Sequence, residues 1–444
     1  MMEAQTLDAR ARSSHIRFWV IAVLFIVSSI SYASRATLQM TGKPLSAEFH
    51  LDSVQLGYLF SAFGWSYVAG QIPGGALLDR YGSRPVYFWS ITLWALFTGA
   101  QAFVTSLSIV PVMISLFLLR LALGFAEAPS FPANARIVAN WFPKSERGTA
   151  SAIFNASQYF SVVAFNPLMG WLAQYYGWQS VYFWMGVIGL AGAVIFWAVV
   201  DSPSRHKRIT RREYAYIEEG GALVNLDTAS GAPQKIQWDC MGDLLANRML
   251  LGIYLAQYCI TALTYFYSTW FAIYLMETRH MGLAKAGLMS AGPAIAGFVG
   301  GVLGGLTSDF LLKRGVGLSP ARKTVILVGL VISCAILLCN YTDSQAMVML
   351  FMSIAFFGKG VAALGWAVMS DAAPREATGL AGSVFNLFGN AAGIFTPIGI
   401  GYILYATNNN WNMALLFVFA HSIVAMISYG FITGEIKRVV LKTA

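Results

Sequence analysis

The sequence predicts an all-α membrane protein with about twelve transmembrane helices in two pseudo-symmetric six-helix bundles. Three observations carry that expectation. Hydrophobic residues make up 57% of the 444 and charged residues only 11%, with mean hydropathy +0.61, whereas a soluble domain carries roughly a quarter charged residues. Apolar runs of about 20 residues, the length that crosses a bilayer, recur in two sets of six. Features of the first set also return in the second.

A polar, basic tail (1–15) precedes the first run, near 16–40, which is too long for a signal-peptide core. The next five lie near 55–77, 86–106, 109–139, 148–173 and 179–200, so residues 16–200 form one bundle. A polar stretch, 201–246, reads as a linker whose Arg211–Glu219 segment forms a short surface helix. Six more runs, near 249–276, 286–312, 324–341, 345–370, 378–404 and 411–433, make a second bundle over 247–433, followed by a tail at 434–444. On the eighth run Gly297, Gly301 and Gly305 stand at spacing four, which lets helices approach closely.

The basic residues set an orientation. Of 29 Lys and Arg, three (Arg35, Arg120, Lys359) lie inside runs, and only Lys43, Arg279 and Lys285 fall on the side away from the termini. Positive charge stays cytoplasmic, so both termini are expected there, in a bacterial inner membrane. The net charge of +9 is thus spent on topology, and no nucleic-acid partner is implied. The four cysteines and five histidines show no metal-ligand spacing and no disulfide framework, so no cofactor or metal is expected. No nucleophile–base pair appears either, which argues against an enzyme. Membrane lipids are the expected surroundings, and a monomer the expected state.

The halves repeat. Gly70, Gly74, Gly75 and Asp79 return 230 residues later as Gly300, Gly304, Gly305 and Asp309, and Pro143, Phe154 and Asn155 return 231 later as Pro374, Phe385 and Asn386. Parallel repeats about a midplane site suit a protein whose halves rock against one another.

Four charges sit well inside apolar runs, away from the run ends: Arg35, Arg120, Glu127 and Lys359. Charge in hydrocarbon is costly and marks an ion or substrate path. Three cations suit an organic anion, because a guanidinium grips a carboxylate through two parallel hydrogen bonds. Glu127 is the proton-carrying candidate. Burial favours the protonated carboxyl and a nearby cation the ionised one, so the proton can load and unload. Arg35 or Arg120 could each anchor a substrate carboxylate; Arg120, seven residues before Glu127 and about 10 Å away along one helix face, could instead serve as its ion-pair partner.

Gly75-Ala-Leu-Leu-Asp79-Arg80-Tyr-Gly82-Ser-Arg84 resembles the signature loop of the major facilitator superfamily, with an echo from Gly305 to Arg314 that includes Asp309. In that family the loop charges act as a conformational latch. Further segments are similar to the anion:cation symporter family and its bacterial glucarate/galactarate transporters. They are Tyr32-Ala-Ser34-Arg35, Trp65-Ser-Tyr67, Arg120 with Glu127-Ala-Pro, Trp141 to Asn155, and Lys359 to Trp366. The resemblance runs from about residue 16 to 440.

It implies proton-coupled import of a sugar diacid by alternating access. Tyr32, Tyr67, Gln158 and Asn386 match polar cavity positions, Trp366 offers a stacking face, and Asn155 and Asn390 are weaker candidates. Arg35 and Lys359, one from each half, would take the two carboxylates. An aldonate or hexuronate symporter, or a transporter-like membrane sensor, is the alternative reading. Family members carry aspartate where this chain has Ser34, which is expected to leave Arg35 uncompensated. Asp371 and Arg136 read as gate or structural residues.

Overall fold

A computed structural model describes residues 14–106, 111–227, 240–374 and 377–440. Residues 1–13, 107–110, the linker stretch 228–239, Arg375 with Glu376, and 441–444 lie outside the described residues. In the first half the helices are α1 (Ile16–Phe49), α2 (Ser53–Tyr81), α3 (Ser83–Ala100), α4 (Val112–Glu127), α5 (Ser130–Trp141), α6 (Arg147–Tyr176) and α7 (Trp178–Val199). Two short ones follow, α8 (Arg211–Glu219) and α9 (Met241–Ala246). The second half holds α10 (Arg248–Thr269), α11 (Phe271–Thr278), α12 (Leu283–Met289), α13 (Ala291–Lys313), α14 (Leu318–Ser333), α15 (Gln345–Val361), α16 (Gly365–Ala372), α17 (Thr378–Ala406) and α18 (Trp411–Ile427).

Several pairs form one span each: α4 with α5, α12 with α13, and α15 with α16. Nine spans among the described residues are long and apolar enough to cross a membrane. The more polar α2, α3 and α6 complete the twelve. The break between α4 and α5 falls at Ala128-Pro129, where proline offers no N–H to continue the helix.

The halves interlock at the end away from the termini. A Cβ at Gly57 of α2 would stand 2.8 Å from the Pro397 carbonyl of α17, so only glycine admits this backbone approach. Nearby, the Tyr58 and Tyr402 hydroxyls meet at 3.3 Å, Lys43 Nζ donates to the Met276 carbonyl at 3.0 Å, and the Ala284 N–H donates to Gln174 Oε1 at 2.9 Å. Toward the other end the halves part. Gly75, Gly305 and Gly379 have open space within 4 Å of a would-be Cβ, and the Asp79 and Asp309 side chains are more than half exposed.

The spacing-four stripe predicted on the eighth span is one position out of register. Gly300 meets the Phe357 carbonyl and Gly304 the Val361 carbonyl, whereas Gly301 and Gly305 face open space or loose contacts. A 3.6-residue period turns the contact face between positions 301 and 304, so Gly297, Gly300 and Gly304 form it.

Residues 201–227 are more than a tether. The Glu213 carboxylate of α8, almost wholly buried, accepts from the Ile16 N–H at 2.9 Å and pairs with Arg17 at 3.4 Å. The Gly220 carbonyl accepts from the Lys144 N–H at 2.9 Å, and the Leu223 N–H donates to the Ala139 carbonyl at 2.9 Å. This segment therefore plates the terminal face of the first bundle.

Candidate functional site

Arg35 and Glu127 form the centre of the site. Arg35 Nε donates to Glu127 Oε1 at 2.8 Å and Nη2 reaches the same oxygen at 2.7 Å. The Ser31 hydroxyl donates to that oxygen too, while Glu127 Oε2 is buried with no partner among the described residues. Aromatic rings cage the guanidinium. Its carbon lies 4.8 Å from the Tyr32 ring, 4.7 Å from Phe63 and 4.8 Å from Tyr67, distances at which a cation is drawn to a ring face.

Arg120 does not pair with Glu127, contrary to the spacing argument. It is 2% exposed, with Nε on the Leu59 carbonyl at 3.0 Å and Nη2 on the Arg35 carbonyl at 3.2 Å. Side-chain direction explains the exchange of partners. Helical side chains lean toward their own N-terminus, and α1 and α4 run opposite ways. Arg120 therefore leans away from Glu127 and ties α4 to α1 and α2. Arg35 and Ser31 lean toward Glu127 and meet it. Arg35 is thus compensated despite Ser34, whose hydroxyl donates to the Ile30 carbonyl at 3.1 Å.

In the second half, Lys359 on α15 is buried and makes no hydrogen bond or ion pair among the described residues. Asn386 Nδ2 on α17 donates to Gln71 Oε1 on α2 at 3.3 Å, a bond between the halves, and Asn390 donates to the Asn386 carbonyl at 3.0 Å. Gln158 is half-buried with no partner among the described residues. Trp366 is 49% exposed and lies edge-on to Phe385 at 4.9 Å. Asn155 is turned onto its own helix, donating to the Ser151 carbonyl at 2.8 Å.

The signature-loop charges take separate partners. Asp79 pairs with Arg136 at 2.5 Å, and Arg136 also reaches Asp227 of the linker at 3.3 Å. Asp227 accepts from Ser83 at 3.0 Å and Asn140 at 3.2 Å. Gly82, at φ 81, turns the chain so that Arg84 pairs with Asp201 at 2.5 Å. Among the described residues Arg80 overlies only the Tyr81 ring, at 5.2 Å. In the repeat, Arg322 bridges Asp309 at 3.2 Å and Asp371 at 3.1 Å.

Ser31, Gln71, Asp227 and Tyr265 were missed in the sequence. Tyr265 on α10 packs against Gly393 of α17, which meets Gly64 of α2 beside the Arg35 cage. Ser31, one turn before Arg35, was legible by helical spacing; the other three meet their partners only through tertiary packing.

The Major Facilitator Superfamily profile matches residues 24–397. The chain is 48% identical over 442 residues to the probable galactarate/D-glucarate transporter GudP of Escherichia coli (strain K12), spanning 99% of this chain and 98% of that one. It is 51% identical over 432 residues to the probable galactarate/D-glucarate transporter GudP of Bacillus subtilis (strain 168), spanning 97% and 95%. Its fold resembles the crystal structure of a D-xylose-proton symporter, with TM-score 0.71 at 15% identity over 94% of this chain and 98% of that one. The chain belongs to the Major Facilitator Superfamily, a family of transporters rather than enzymes.

Proposed function

We propose that this protein imports a sugar diacid of the galactarate/glucarate type together with protons, by alternating access between its two bundles. The observation that carries the reading is the Arg35–Glu127 pair, in which two guanidinium nitrogens converge on one carboxylate oxygen while the other has no partner among the described residues. A substrate carboxylate is the natural competitor for that fork. When it displaces Glu127, the released carboxylate sits in a fully buried position without its cation, and taking up a proton removes the cost. Substrate and proton therefore favour each other's binding, a reciprocal linkage.

Lys359 takes the second carboxylate. A buried ammonium with no partner among the described residues is costly unless an anion visits it. Tyr32, Tyr67, Gln158, Trp366 and Asn386 supply the uncharged lining, and Arg120 holds the helices in place. The two bundles are residues 16–200 and 247–433, joined by the 201–246 linker, in a monomer. Lys and Arg put both termini in the cytoplasm, so the parted end opens inward and the structure is the releasing state. Asp79–Arg136 and Asp309–Arg322–Asp371 are latches that re-form with partners across the mouth as it closes.

The test is uptake of labelled galactarate and glucarate into proteoliposomes under an imposed pH gradient, alkaline inside. The proposal expects accumulation above equilibrium that collapses with the gradient. Gradient-independent equilibration would refute proton coupling. Uptake of a monoacid such as galactonate but of neither diacid would move the reading to an aldonate carrier, and no uptake of any sugar acid would favour a sensor.

A further inference from the structure

The middle of α10 has one half-exposed face, and that face is polar. From Ala256 to Trp270 every residue that is not buried is Gln257, Tyr258, Thr261, Thr264, Tyr265 or Ser268, while Ala256, Cys259, Ile260, Ala262, Leu263 and Phe266 are buried. At 100° per residue these six fall within roughly 120° of arc. A face turned to lipid would be apolar, so a polar face on an otherwise buried span lines a wet interior. At its upper end Tyr265 packs on Gly393 of α17, which in turn meets Gly64 of α2, next to Phe63 of the Arg35 cage.

Two turns along the same face, the Gln257 amide occupies a gap made for it. A Cβ at Gly365 of α16 would strike the Gln257 amide oxygen, and one at Gly389 of α17 would stand 3.4 Å from its Nε2 and 3.6 Å from Thr261 Oγ1. Gln257 Nε2 donates to Thr261 Oγ1 at 3.2 Å. The amide oxygen receives no hydrogen bond among the described residues. Asn386 and Asn390 flank Gly389 on α17.

We propose that Gln257 and Thr261 read the hydroxyl configuration of the substrate whose carboxylate is held at Arg35, and so set selectivity between stereoisomeric sugar acids. The inference rests on the diacid reading above. The amide oxygen accepts one substrate hydroxyl, and the Thr261 hydroxyl, itself fixed by Gln257, donates to another. Hydrogen bonds to uncharged groups discriminate between stereoisomers because a misplaced hydroxyl leaves a desolvated partner unpaired.

The experiment compares initial uptake of galactarate and glucarate, which differ in hydroxyl configuration, in proteoliposomes holding wild type, Gln257→Leu, Thr261→Val or Thr261→Ser. Gln257→Leu and Thr261→Val should each raise KM about tenfold for the preferred isomer and less for the other, shifting the selectivity ratio about fivefold at nearly constant kcat. Thr261→Ser, which restores the hydroxyl, should return the ratio to the wild-type value. Equal losses for both isomers, or a fall in kcat alone, would assign these residues a packing role and overturn the proposal. If Gln257→Leu fails to fold, the Thr261 pair alone decides. Wild type that carries neither diacid removes the functional reading, and this inference with it.

Discussion

Replacing Glu127 with glutamine tests the competition at Arg35. The substitution keeps shape and removes the charge that holds the guanidinium. Two N–H groups on one carboxylate oxygen leave the second oxygen unused, so the pair is weaker than a bidentate fork. A charge-assisted hydrogen bond contributes about 1.5–3 kcal/mol, and removing a competitor of that strength tightens binding by roughly 10- to 100-fold. In Glu127→Gln binding should be tighter than in wild type. Titration followed by tryptophan fluorescence or calorimetry reads it, and counterflow should survive while gradient-driven accumulation is lost. A Glu127→Gln protein that binds no more tightly than wild type, or still accumulates substrate, would refute the reasoning.

Arg35→Lys should cost roughly 10- to 100-fold in affinity, since an ammonium cannot present two parallel N–H groups to a carboxylate; a thermal-shift titration with galactarate reads it. Lys359→Ala should abolish stabilisation by diacids while leaving any by monoacids unchanged in the same assay. Gly300→Ala, which drives a methyl into the Phe357 carbonyl, should destabilise by about 1–3 kcal/mol, whereas Gly305→Ala should leave the melting temperature unmoved. Asp227→Asn should lower the melting temperature more than Asp79→Asn, because the Asp227 side chain is 9% exposed and the Asp79 side chain 58%, and exposed ion pairs contribute little.

The charged residues of the site were legible because each is an anomaly in an apolar run; their partners were not. Periodicity put Arg120 and Glu127 on one face, but which arginine reaches the carboxylate depends on the opposite directions of α1 and α4. The absent aspartate at Ser34 suggested an unpaired Arg35, yet compensation comes from 92 positions away. The glycines of the eighth span announced close packing without fixing its register, because spacing four and spacing three both suit a helix. Asp227 sits in a stretch without periodicity, so its insertion between Ser83, Arg136 and Asn140 had no local signal. The α10 stripe escaped notice for another reason. Gln257, Thr261 and Thr264 are uncharged and common in membrane helices, and only burial on the other three sides makes their shared face distinctive.

The most direct measurement is proton uptake on substrate addition to purified protein in weakly buffered solution near neutral pH. If a carboxylate displaces Glu127 from Arg35, the medium should turn alkaline by up to about one proton per substrate bound. The signal should vanish in Glu127→Gln. Binding with no pH change, or with proton release, would contradict the account.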